Sequence, residues 1–281
     1  MLVFLNGDFV AEEKAVVSVF DRSFLYGDGL FETLRVYGGK PFCWPQHLER
    51  LQRGAEFLKL RIPFGPEELL RSVGQLIERN RMPEALLRIT LSRGVGPRGY
   101  SPKAAIQPVL VMSTHPVPQT DSENPPQWRL ATTSVRLLAE EPLAQFKTCN
   151  KLPQILARAE AESQGADEGL LLNTNGDVVE AATSNLFWIN NDVVGTPPLA
   201  SGILPGVTRA VVLDICRDIG VLAKETRILP VAISHSDGVF LSTSSVGVIE
   251  ALSLDGRALR RSPLVARIRA EYQARVGRFR G

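Results

Sequence analysis

The run FKTCNKLPQ, Phe146 to Gln154, places two lysines four residues apart with one cysteine between them. An amine attacks a carbonyl only when neutral, so a nucleophilic lysine needs burial or a second nearby cation to lower its pKa. If a helix begins early in this run, Lys147 and Lys151 share one face and Lys151 depresses Lys147. Spacing by itself singles out neither lysine, and it favours two solvated charges at a helix start. Other chemistries find less support. The chain has no GxxxxGK[ST] loop and no GxSxG elbow. Its three histidines, His47, His115 and His235, stand apart, without an HExxH pair or a cysteine at ligand spacing. Cys43, Cys149 and Cys216 form no CxxC pair, so neither a disulfide framework nor a metal site is expected.

A Schiff-base lysine usually works with pyridoxal phosphate, an electron sink that needs an acid for its ring nitrogen and a cradle for its phosphate. Glu180, in GDVVEAATSNLF, is a carboxylate within an apolar β-rich stretch, where it must face solvent or meet a cation. A pyridinium is such a cation. In ILPGVTRAVV, Gly206, Val207 and Thr208 open a helix, whose free N–H groups and dipole attract an anion. The turn in FLSTSSVGV adds hydroxyls, Ser244 among them, and Arg50 in HLERL supplies a guanidinium for a phosphate. A glycine before a helix is usually a cap and a helical arginine is usually solvated. Their joint occurrence in this order carries more weight than any one of them.

The elements that must position these residues can be read from periodicity. MLVFLNGDFV is a hairpin about Asn6-Gly7, and FETLRVYGGKPFCW repeats the theme at Gly38-Gly39. PQHLERLQRGAEFLKL and PEELLRSVGQLIERN are helices. ALLRITLSRG, QPVLVMSTH and WRLATTSVRLL read as strands, the last leading toward Lys147. KLPQILARAEAESQG is a helix closed by Gly165, EGLLLNTNGDVVEAATSNLFWI a hairpin at Asn175-Gly176, and GVTRAVVLDICRDIG a helix. GVFLSTSSVGVIEAL is a strand running into the hydroxyl-rich turn. The proline-rich stretch 115–128 marks a linker. The expected organisation is a small N-terminal α/β domain at 1–115, a linker at 116–128 and a larger domain at 129–281. The tail from Arg257 has eight arginines and one glutamate. It suits an RNA or phosphate foot, but better an amphipathic helix burying Leu264, Ile268 and Tyr272.

With 281 residues, 44% of them hydrophobic, the chain is long enough for a sizeable core. A formal charge of +2 gives no field that points to nucleic acid. The start MLVFLNGDFVAEEKAV lacks the pattern of a signal peptide, and no apolar run reaches the ~18 residues of a membrane helix. A cytoplasmic protein with no membrane or nucleic-acid partner is expected.

Taken together, DRSFLYGDGLFETLRVY, HLERL, RITLSRGVGPRGYSP, FKTCNKL, GDVVEAATSNLFW, GILPGVTR and FLSTSS resemble the fold-type IV, class IV aminotransferase family of pyridoxal-phosphate enzymes. The resemblance spans nearly the whole chain. It implies an α/β (α+β) two-domain fold like that of D-amino acid aminotransferase, pyridoxal 5′-phosphate as cofactor, and a homodimer with the active site between the domains and near the interface. It makes Lys147 the catalytic, cofactor-bearing lysine and Glu180 the ring-nitrogen acid. Arg50, Gly206, Val207, Thr208 and, less directly, Ser244 become the phosphate contacts. Tyr26, Phe31, Arg35, Arg88, Arg98, Tyr100 and Lys151 become the substrate-facing set, with Arg98 and Tyr100 reaching into the partner subunit. The substrate is then a small molecule with an amine and a carboxylate.

Three activities share these motifs: branched-chain aminotransferase, D-amino acid aminotransferase and 4-amino-4-deoxychorismate lyase. SRGVGPRGYSP is similar to a lyase run, and Lys151 follows Asn150 where lyases often carry a basic residue and branched-chain enzymes a tyrosine. Arg88 matches a carboxylate-binding arginine of branched-chain enzymes and Arg98 one of D-amino acid enzymes, whose neighbouring histidine is here Tyr100. The FLSTSSVGV turn is closer to transaminases. The lyase, which makes 4-aminobenzoate for folate biosynthesis, is the expectation. An aminotransferase, or an inactive module that keeps the fold and the cofactor, are the alternatives.

Overall fold

A computed structural model describes residues 1–118 and 125–280. The chain divides into two compact units. The first comprises Met1–Val117, Phe146–Asn150 and Phe279–Gly281, and the second Pro118–Gln145 and Lys151–Arg278. The sequence-based division assigned Phe146–Asn150 to the second domain; here it groups with the first. Part of the expected linker, residues 119–124, lies outside the described residues.

In the first unit, β1 (Leu2–Leu5) and β2 (Asp8–Ala11) form a hairpin whose turn, Asn6-Gly7, has φ of 50° and 109°. Positive φ at both positions is what a two-residue hairpin loop requires. The strands β3 (Gly29–Tyr37), β4 (Lys40–Pro41), β5 (Ala85–Ser92) and β6 (Val109–His115) complete a six-stranded antiparallel sheet of order β2-β1-β6-β5-β3-β4. The short α1 (Arg22–Tyr26) is capped by Asp21, whose side chain accepts from the Ser23 and Phe24 N–H groups. Two amphipathic helices, α2 (Trp44–Phe57) and α3 (Pro66–Asn80), cover one face. Leu48, Leu51 and Ala55 of α2 and Leu69, Val73 and Leu76 of α3 share a core with Leu30, Leu34, Leu87, Ile89 and Met112 of the sheet. The strands alternate, so their odd-numbered β3 and even-numbered β5 residues point away from that core.

The second unit holds β7 (Gln127–Leu137), α4 (Leu152–Ser163), β8 (Glu168–Asn173), β9 (Val178–Ala181), β10 (Asn185–Asn190) and β11 (Val193–Thr196). It continues with α5 (Val207–Asp218), β12 (Ala223–Glu225), α6 (Pro230–Ile233), β13 (Gly238–Thr243), β14 (Gly247–Leu254) and β15 (Arg257–Ala258). The helix α7 (Pro263–Arg280) ends the chain. The nine-stranded sheet runs β12-β11-β10-β13-β14-β7-β8-β9, with β15 on β14. Because Glu180 of β9 also pairs with Asn185 of β10, the strands from β10 round to β9 close a ring. Of these strands β8, β9, β10 and β13 are buried on both faces, and runs such as GVFL and NLFWI are accordingly near-continuously apolar. The arginine-rich tail is the helix expected of it, with Leu264, Ile268 and Tyr272 buried. Among the described residues no helix is long and apolar enough to cross a membrane.

One local expectation fails. The helix after Lys147 does not begin early: Lys151 is the N-cap of α4, with φ −118° and ψ 19°, so Lys147 lies outside it. The two lysines are therefore not i, i+4 neighbours on a helix face. Pro153 sits at the start of α4, where it fits only the first turn and disfavours helix before it.

Candidate active site

Lys147 stands on an added edge of the small sheet. The Phe31 N–H donates to the Lys147 carbonyl at 2.9 Å, the Cys149 N–H donates to the Gly29 carbonyl at 2.9 Å, and Leu30 and Thr148 form an antiparallel bridge. This pairing is why the segment belongs to the first unit. It fixes the lysine backbone against β3 rather than at the end of β7, which stops at Leu137.

On the face of the sheet away from the helices, Phe31 pairs with Thr90 and Thr33 with Arg88. The Arg88 Cζ lies 4.1 Å from the centroid of the Phe31 ring, and the Lys147 Nζ lies 4.6 Å from the same centroid. One aromatic ring thus holds both cations. Arg88 donates to Thr90 Oγ1 at 3.2 Å, and among the described residues no carboxylate pairs with it. Burial pushes its pKa down, opposed by the charge of Cys149. A guanidinium in such a place is a ready receptor for a ligand carboxylate. Arg35 lies on the same face but is engaged: it donates to Glu84 Oε2 at 3.0 Å and stacks over Tyr37 at 4.8 Å.

Behind that face lies a buried charge network that the sequence reading did not include. Glu32, 1% exposed, points into the helix-covered core. Arg50 grips it with two donors, Nε to Oε1 at 2.8 Å and Nη2 to Oε2 at 2.7 Å, and His47 Nδ1 approaches Oε2 at 2.7 Å. Burial pushes the Glu32 carboxyl up, but the Arg50 charge and the Arg50 and His47 hydrogen bonds outweigh it and hold the pKa at about 2. Burial lowers the His47 pKa, helped by the charges of Arg50 and Lys147 and opposed by Glu32. His47 is thus structural, as a lone histidine usually is. A clue was present: in LFETLRV an acid interrupts the alternation Leu30, Leu34, Val36, and His47 and Arg50 recur three apart on the facing helix.

Tyr26 and Tyr100 are brought together, with Arg98 on the same loop as Tyr100. The Tyr26 hydroxyl accepts from the Gly99 N–H at 3.2 Å, and the Tyr26 and Tyr100 rings meet edge to face at 5.6 Å. Arg98 and Tyr100 are exposed, Tyr100 at 87%.

The second unit supplies the acid and the anion cradle. Glu180, buried in β9, accepts the Leu204 N–H at 3.0 Å. Asn185 donates to the Leu204 carbonyl at 2.9 Å, which braces the loop from the opposite side. Gly206 is the N-cap of α5, and Val207 and Thr208 are its first residues. No side chain caps this helix, and a Cβ on residue 206 would run into Asn185 Oδ1. The Thr208 and Ser244 hydroxyls converge at 3.4 Å. Ser242, paired across the strands with Asn185, and Ser184 bury hydroxyl oxygens that have no partner among the described residues. Uncapped N–H groups, converging hydroxyls and orphaned buried oxygens fit a phosphate-bearing ligand. Lys151 belongs to this unit, as the cap of α4. Among the described residues no group of three or more His, Cys, Asp or Glu is placed to hold a metal.

A family model described as amino-transferase class IV matches residues 29–254. A putative branched-chain-amino-acid aminotransferase of Methanocaldococcus jannaschii is 35% identical over 260 residues, covering 92% of this chain and 90% of that protein. A D-alanine aminotransferase of Staphylococcus epidermidis is 33% identical over 257 residues, 90% of this chain and 89% of that one. An aminodeoxychorismate lyase of Bacillus subtilis is 31% identical over 251 residues, 88% and 85% of the two chains. A T.th. branched-chain amino acid aminotransferase complexed with N-(5′-phosphopyridoxyl)-L-glutamate has the same fold, with a TM-score of 0.89 and 28% identity over 97% of this chain and 92% of that one.

Proposed function

Given that this chain belongs to the class IV aminotransferases, we propose that it is a 4-amino-4-deoxychorismate lyase, releasing pyruvate and leaving 4-aminobenzoate. Its cofactor is pyridoxal 5′-phosphate. The observation that carries the reading is the Phe31 ring with Lys147 on it at 4.6 Å and Arg88 at 4.1 Å. An amine that works on carbon thus sits within reach of a guanidinium that binds a carboxylate, and the proposed substrate has both an amine and carboxylates. Lys151 in place of a tyrosine and the SRGVGPRGYSP run support the lyase over its relatives.

When bound, the cofactor draws electrons from the substrate carbon that carries the amine and so weakens its C–H bond. Lys147 Nζ takes that proton. Glu180, fixed by the Leu204 N–H, holds the ring nitrogen protonated. The α5 N-terminus, Thr208, Ser244 and Arg50 bind the phosphate. Arg88 holds one substrate carboxylate, and Arg98 with Tyr100 engages another. The C–O bond to the enolpyruvyl group then breaks, the substrate ring becomes aromatic, and the departing enolpyruvate takes up the proton held on Lys147 Nζ and leaves as pyruvate. We further propose a homodimer, supported by the exposure of Val16, Val19, Phe20, Phe24, Val95 and Ile106.

A second reading, amino transfer to 2-oxoglutarate, is favoured by the 35% identical relative and by the position of Arg88. One assay separates the two. The holoenzyme given 4-amino-4-deoxychorismate is expected to form 4-aminobenzoate and pyruvate. If it forms neither, while a branched-chain or D-amino acid converts 2-oxoglutarate to glutamate, the lyase reading fails.

A further inference from the structure

The loop that carries Arg98 and Tyr100 is exposed, yet a buried charge holds its backbone. Arg22, the first residue of α1, is only 3% exposed. Its Nη1 donates to the Gly99 carbonyl at 2.8 Å and to the Ser101 carbonyl at 3.4 Å, and its Nη2 donates to the Tyr100 carbonyl at 3.2 Å. Its Nε donates to Asp28 Oδ2 at 2.8 Å. The Arg22 stem passes 3.1 Å from where a Cβ on Gly96 would stand, so the loop lies directly on it. Asp28 receives a second guanidinium, Arg93 Nε at 2.8 Å, and Arg93 in turn donates to the Leu58 and Lys59 carbonyls after α2. Asp28 also directly precedes Gly29, whose carbonyl takes the Cys149 N–H beside the lysine. The loop and the Lys147 edge therefore refer to one carboxylate.

A surface loop ordinarily leaves its carbonyls to water. Taking a guanidinium out of water is costly unless its charge and donors are all satisfied. Here the charge meets one acid, and four of the five N–H groups are taken up, one by that acid and three by successive carbonyls of a loop whose Arg98, Tyr100 and Ser101 are exposed. A rigid loop presenting one cation and one phenol is what carboxylate recognition needs, since small misplacements of a binding group are expensive. We propose that Arg22, locked by Asp28, is a positioning residue that fixes the 98–101 loop and so presents Arg98 and Tyr100 to the substrate carboxylate. The inference rests on the reading of those two residues as substrate contacts.

Arg22→Lys keeps a cation for Asp28 but replaces a planar five-donor fork with a single flexible ammonium. In the reconstituted holoenzyme it is expected to speed tryptic cleavage after Arg98 and Lys103 by roughly tenfold or more, as a loop freed from its anchor opens locally. The KM for the amine substrate that the assay above selects should rise roughly tenfold, with kcat within about twofold, because the chemistry at Lys147 is left intact. Tyr26→Phe, which removes only the hydroxyl that accepts the Gly99 N–H, should shift cleavage the same way to a smaller extent. Unchanged cleavage in both variants would overturn the anchoring. Faster cleavage with an unchanged KM in Arg22→Lys, while Arg98→Gln raises KM, overturns the positioning role and leaves Arg98 a substrate contact. If Arg98→Gln itself leaves KM unchanged, the reading of the loop as substrate-binding fails, and the inference falls with it.

Discussion

Glu32→Gln is the sharpest test of how the first unit is built. The substitution keeps shape and volume but removes a charge gripped by Arg50 at 2.8 and 2.7 Å and approached by His47 at 2.7 Å. Holding the carboxyl at about 2 rather than 4.5 corresponds to stability on the order of 3 kcal/mol at neutral pH. The substitution also leaves the buried Arg50 guanidinium without its carboxylate, and breaking such a pair from one side costs about 3–5 kcal/mol. For a chain of this size that is a fall in Tm of roughly 10 °C. The sign follows from the depressed pKa: the stabilisation is full above the unfolded value near 4.5 and is lost as pH falls toward 2. The wild-type advantage should therefore narrow across that window. Chemical or thermal unfolding of both proteins from pH 7 downward measures it, and an Arg50→Gln partner completes a cycle whose coupling should reach ~2 kcal/mol. A variant within about 1 kcal/mol of wild type at pH 7, or a gap that does not close below pH 4.5, would refute the argument.

Three further outcomes are expected. Borohydride reduction of the holoenzyme should fix the cofactor to Lys147, so Lys147→Ala loses the adduct and the activity while Lys151→Ala keeps the adduct, as mass mapping will show. Arg88→Gln should raise the KM of a carboxylate-bearing substrate by roughly 10–100-fold, the worth of one charge-assisted hydrogen bond, with little change in the absorbance of the bound cofactor. Gly206→Ala drives a methyl into Asn185 Oδ1. It should weaken cofactor binding, measured by titrating the apoenzyme, and cost about 1–3 kcal/mol of stability.

Much of the local structure was written in the chain. The Asn6-Gly7, Gly38-Gly39 and Asn175-Gly176 hairpins, the helices α2, α3 and α5 and the buried stripe of α7 all follow from turn chemistry and periodicity, which depend on residues a few positions apart. The hydroxyl-rich turn and the uncapped start of α5 were legible for the same reason.

What the chain by itself determined was the inventory of chemistry: a lysine beside Asn150, an acid in a β-rich stretch, and a glycine-opened helix. It could not choose between Lys147 and Lys151 by spacing, because the i, i+4 relation holds only inside a helix, and Pro153 keeps that helix from reaching Lys147. Tertiary structure set the two apart by pairing Lys147 with Phe31 across a sheet edge, over a hundred positions along the chain. It likewise decided that Arg50 is clasped by Glu32, that Arg35 is engaged by Glu84, and that Arg88 lies half-buried over Phe31 without a carboxylate among the described residues. Charges are assigned their work by which partner the fold brings within about 3 Å, and that distance is a property of strand register and helix packing, not of composition.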